Sequence, residues 1–129
     1  VSRAVGVLHN LSRIVSASVA IIDAGASVAL VRLLSWLPIG DVTRCAAGTI
    51  QNISRSDPGR KAVLAADAVE PLSVLVCCQD VQTRIAAIAA LINVLGPELP
   101  EQERAQFKHI LALALASGSV SDAFLEEKQ

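Results

Sequence analysis

The chain has almost no aromatic residues: one Trp, two Phe and no Tyr, and no Met either. A core drawn from such a sequence must be packed from many small side chains rather than a few large ones. An excess of either charge is also lacking. Eleven Lys and Arg face twelve Asp and Glu, a net charge of −1, so general attraction to nucleic acid or to an anionic membrane is not expected. Cysteine is scarce, with only Cys45, Cys77 and Cys78. An odd count with two adjacent residues is not a disulfide framework. It fits a reducing compartment, cytosol or nucleus, and the three thiols are expected to act as small buried apolar groups. Long hydrophobic runs are missing as well. The longest uncharged run, Ile85 to Pro97, falls short of the ~18–20 residues that span a bilayer. No signal peptide is visible. The chain opens at Val1 already inside a helical pattern, which reads as a piece of a longer protein.

What is present is Ala, Leu, Val and Ile. Hydrophobic residues make up 53% of the 129 positions. The length suggests one domain, and the abundance of Ala and Leu predicts an all-α fold with closely approaching helices.

The stretch RCAAGTIQNIS, Arg44 to Ser54, sets an Asn inside an apolar helical run, where it is a poor helix former and costly to bury. The pattern recurs, in VGVLHNLS at Val5 to Ser12 and IAALINVL at Ile88 to Leu95. Asn10, Asn52 and Asn93 are spaced by 42 and 41 residues. Ala4, Ala46 and Ala87 each stand six positions before the Asn; Leu8, Ile50 and Leu91 stand two before it. A shift of 42 also pairs Leu30 with Leu72 and Leu33 with Leu75.

Each full unit reads as three helices. In the first, Ser16 or Ser18 is expected to cap a helix through Ala24, ended at Gly25. A second helix is expected from Ala26 to Leu37, broken by Pro38-Ile39-Gly40. Asp41 is expected to cap a third helix, through Ser54. The next unit starts at Ser56-Asp57-Pro58, a cap followed by an early Pro. Its helices are expected to end near Asp67, to run from Val69 to Cys78, and to run from Asp80 to Leu95, stopped by Gly96-Pro97. The tail predicts a helix from Glu101 to Ala116 and a short piece from Asp122 to Glu127. The expected division is 1–14 as the last helix of a partial repeat, 15–55 and 56–97 as full repeats, and 98–129 as a degenerate repeat or cap.

A period of ~40–47 residues with two or three helices points to the armadillo or HEAT class. IIDAGASVALVRLLSW resembles the armadillo family's junction of first and second helices, and AAGTIQNIS, AVGVLHNLS and AAIAALINVL resemble its third helix. The resemblance covers residues 1 to 96. It implies a right-handed α-solenoid whose third helices line a concave face. It also implies that Asn10, Asn52 and Asn93 point into that groove and hydrogen-bond the main chain of a partner. An amide suits this role because it both donates and accepts.

Helical spacing places residues four before, eight before and three after each Asn on its face. These are Gly48, Arg44 and Arg55 for Asn52; Gly6, Ser2 and Arg13 for Asn10, with Arg3 adjacent; and Ala89, Ile85 and Gly96 for Asn93, with Arg84 adjacent. His9 and Gln51 stand at the edge. The family's nuclear-import members carry Trp four residues before the Asn. Gly6, Gly48 and Ala89 occupy that position here, which argues against binding of a basic localisation signal. Arg walls over small floors suit an acidic or phosphorylated segment, or a helix. An alternative is that each Asn fixes repeat stacking, and that Arg44 and Arg84 pair with Asp41 and Asp80.

No catalytic or metal-binding constellation stands out. His9 and His109 belong to different units, and no HxxxH or CxxC spacing occurs. Trp36 is expected to pack at a helix end. The expected function is therefore non-enzymatic, without cofactor or metal. It is a protein-interaction module for an extended or helical, acidic partner segment. The alternative is a structural or autoinhibitory segment packed on other domains of its parent protein. Self-association through an uncapped N-terminal stacking surface is also expected.

Overall fold

The computed structural model describes residues 1–119, and all their regular structure is helical. The helices are α1 (Ser2–Leu11), α2 (Val15–Asp23), α3 (Ser27–Leu33), α4 (Asp41–Ile53), α5 (Asp57–Ala65), α6 (Val69–Leu75), α7 (Val81–Leu95) and α8 (Glu101–Ser119). A 3-10 turn, Gly96–Glu98, joins the last two. The expected piece from Asp122 to Glu127 lies outside the described residues.

The Asn-bearing helices α1, α4 and α7 stack in that order, with α8 packed on α7. The shorter helices lie beside this row, α3 against α4 and α6 against α7. α2 and α3 meet at 95°. Ala carries much of the packing: Ala46, Ala47, Ala87 and Ala90 are fully buried, with Ile50, Ile53, Leu72 and Val94 filling the space between them. Small side chains at these positions let the helix axes come close, as the shortage of aromatics requires.

The two full units share their turns. Gly25 and Asp67, 42 residues apart, both adopt positive φ. Ala26 N–H reaches Ile21 O, and Ala68 N–H reaches Val63 O. This is the bond pattern of a Schellman ending. Gly25 takes the left-handed conformation without a Cβ clash, whereas Asp67 adopts it at some cost.

Two expected caps are present. The Ser56 hydroxyl accepts from Gly59 N–H, with Pro58 in the first turn. The Asp80 carboxylate accepts from Thr83 N–H at 3.0 Å. Two others are not. α2 begins after Ile14, whose extended backbone sets the helix start, so Ser16 and Ser18 lie inside it and no side chain caps it. Asp41 is the first helical residue rather than the cap, and its carboxylate pairs with Arg44. α3 and α6 end earlier than expected, at Leu33 and Leu75, in turns that free the chain to enter the next helix. α8 continues past Ala116 to Ser119. Trp36 is 44% exposed rather than packed, and Cys77 is exposed rather than buried. Among the described residues, no single helix is long and apolar enough to cross a membrane.

Candidate functional site

The row α1–α4–α7 carries the residues singled out by the repeat, and the structure separates their roles. The asparagines bond between units. Asn52 Nδ2 donates to the Ser12 hydroxyl at 2.9 Å, across 40 residues of sequence. Asn93 Nδ2 donates to Gln51 O at 2.9 Å and to the Ser54 hydroxyl at 3.4 Å. Ser12 and Ser54 in turn donate to His9 O and Gln51 O, the last-turn carbonyls of α1 and α4. These carbonyls have no partner within their own helices. Each junction is thus a clamp: a serine closes the end of one helix, and the Asn of the next unit holds that serine or the same carbonyl.

The clamp follows the sequence. Ser stands two residues after Asn10 and Asn52, but Leu95 stands two after Asn93, and α8, which packs next, carries no Asn. The stacking role of Ser12 and Ser54 was missed, although the HNLS and QNIS repeats contained its signal. The amide oxygens of Asn52 and Asn93 accept no hydrogen bond among the described residues. Asn10 is exposed.

Beside the clamps are two clefts. One, of about 190 Å³, is lined by His9, Arg44, Gly48, Gln51, Gln82, Ile85 and Ala86. It spans all three Asn-bearing helices. Its Gly48 floor is not open, because the His9 ring lies on it and a methyl group there would overlap the imidazole. Burial first, then the fields of Arg13 and Arg44, lower the His9 pKa from its ordinary 6.5, so the ring is neutral at pH 7. Arg44 is paired with Asp41 and also acts on Asp80. The Thr83 hydroxyl is the largest cause holding the Asp80 carboxyl below its usual range; the Thr83 amide, Arg44 and Arg84 add to it against the opposing cost of burial.

The second cleft, of about 250 Å³, is lined by Ser12, Arg13, Val15, Ser18, Val19, Asn52, Arg55 and Ser56. It lies where the ends of α1 and α4 meet the start of α2. Arg13 and Arg55 are exposed and form no ion pair among the described residues.

The expected site is therefore divided. Arg44, Gly48, Gln51 and Ile85 come together in the first cleft; Arg13, Asn52 and Arg55 come together in the second. Arg84 joins neither. Its Nη1 donates to Cys78 O at 3.1 Å, as Thr43 Oγ1 donates to Trp36 O at the corresponding loop of the preceding unit. Arg84 stands nine residues before Asn93, whereas Arg44 stands eight before Asn52, and one residue turns a helix by about 100°. Ala89 is buried. Among the described residues, no group of three or more His, Cys, Asp and Glu side chains could hold a metal ion.

Comparison with known proteins returned no relative: no protein-family profile matches the chain, and no curated protein matches it.

Proposed function

We propose that the chain is an armadillo-type, right-handed solenoid segment that binds another protein and catalyses no reaction. The row α1–α4–α7 forms its binding face, and the partner is an extended or helical segment with acidic side chains. The observation that carries the reading is the pair of clefts beside this row. They are lined by three arginines, Arg13, Arg44 and Arg55, and by Asn52; the amide oxygens of Asn52 and Asn93 have no partner among the described residues. The Asn oxygens accept main-chain N–H groups of the partner, and the guanidiniums meet its acids. Free cysteines fit a reducing compartment, cytosol or nucleus. Exposed Val7, Leu11, Ile14, Val15 and Val19 support self-association through the N-terminal face.

A second reading, a structural segment within a larger assembly, is favoured by the inter-unit clamps, which account for the asparagine nitrogens without any ligand. Selection from a randomised peptide library separates the two. The binding reading expects acidic sequences that lose affinity for the Arg44→Glu, Gln82→Glu variant, both positions lining the first cleft. A selection that enriches nothing, or sequences indifferent to that variant, leaves the structural reading.

A further inference from the structure

The geometry points to a phosphate monoester, carried by the partner segment, as the ligand of the second cleft. This rests on the proposed binding face for its carrier, while the anion site has its own grounds. Arg13 and Arg55 enter the cleft from equivalent positions of two successive units, and neither has an acidic partner. The nearest carboxylate in sequence, Asp57, faces Arg60 at 3.8 Å. α2 opens at the cleft through Val15 with no capping side chain and no acidic residue in its first turn. Its first amides and its positive end therefore remain available to an anion.

Ser18 supplies a separate indication. It is only 9% exposed, lines the cleft, and its hydroxyl has no hydrogen-bond partner among the described residues. The residue is nearly buried while its hydroxyl oxygen keeps solvent access, on a cleft that two guanidiniums also line.

The donor set selects the ligand. A carboxylate has two oxygens and is satisfied by one guanidinium fork. A phosphate monoester carries a charge of about −1.5 to −2 with three acceptor oxygens, which matches two arginines and a hydroxyl. Asn52 bounds the same cleft. Its amide oxygen is placed for a main-chain N–H of the residue that carries the phosphate.

The test is an NMR titration of the chain with a short phosphoserine peptide. Its unphosphorylated form, inorganic phosphate, and sulfate at matched ionic strength serve as controls. The phosphopeptide should shift the amides of Ser16, Ala17 and Ser18 saturably, and more tightly than any control. Arg13→Gln and Arg55→Gln should each weaken it by roughly tenfold or more, the scale of one charged hydrogen bond. Ser18→Ala should weaken it with the fold unchanged. The His9 pKa should rise on binding, because the dianion offsets the Arg13 field. The inference is overturned by an absence of saturable shifts, by equal binding of the unphosphorylated peptide, by inorganic phosphate binding as tightly as the phosphopeptide, or by affinity unchanged in the Arg13→Gln, Arg55→Gln double variant. Arg44→Glu separates this outcome from the binding-face reading: it alters the first cleft and should leave the phosphopeptide shifts at Ser16–Ser18 in place.

Discussion

α1 and α4 carry the same pattern 42 residues apart, yet the structure uses them differently. Leu11 is 43% exposed, while Ile53, its counterpart, is fully buried. Ala4 is exposed and Ala46 is buried. Nothing lies within 4 Å of a methyl group placed on Gly6, whereas the same group on Gly48 meets the His9 ring. Asn10 is exposed, and Asn52 is tied to Ser12. The repeat therefore encodes what a helix can contribute. A neighbour on each side decides whether it does so, the nearest-neighbour behaviour of stacked units.

This difference can be tested position by position. The largest effect is expected in the core. Ile53→Ala should cost about 3–4 kcal/mol in chemical denaturation, from lost burial and the cavity left behind, while Leu11→Ala should cost under about 1.5 kcal/mol because much of its surface already meets solvent. Equal costs would mean that the first helix is covered in solution. The glycine pair should differ. Gly48→Ala must displace the His9 ring, a cost that offsets its helix-propensity gain of about 1 kcal/mol, so it should be neutral or destabilising. Gly6→Ala should stabilise by about 0.5–1 kcal/mol through helix propensity alone. Thermal melts of the two variants read this directly.

The asparagine pair gives a smaller contrast. Asn52→Ala should cost about 1 kcal/mol through loss of its bond to Ser12, and Asn10→Ala should be neutral or slightly stabilising. The smallest effect concerns pH. The folded chain lowers the His9 pKa below 6.5, so the unfolded chain takes up the proton first as pH falls. The resulting contribution is fully present above pH 6.5 and is lost as pH falls from there through the folded pKa. Denaturation midpoints should decline over that window, and His9→Gln should flatten the decline. The corresponding α4 residue, Gln51, does not titrate.

Much of the helix order was legible because its signals are local. Gly25 and Asp67 mark the turns, Ser56 and Asp80 the caps, and the Asn spacing the unit. The errors came where a neighbour decides. Ser18 has the chemistry of a cap, but Ile14 starts the helix upstream of it, and the serine is left nearly buried inside α2. Arg84, expected beside the Asn face, is turned by a single residue of offset to the Cys78 carbonyl. Gly48 looked like an open floor because nothing in its own helix shows that His9, from the preceding unit, lies on it. Ser12 and Ser54 went unremarked as ordinary helix-end residues, although their partners lie 40 and 39 residues away.

Asn52 and Asn93 spend their amide nitrogens on the junctions between units. A double-mutant cycle on Ser12→Ala and Asn52→Ala, read by chemical denaturation, tests this most directly. A coupling of about 0.5–1.5 kcal/mol between the two positions is expected. Effects that add to within about 0.3 kcal/mol would contradict it, and would return the whole Asn52 side chain to the binding face.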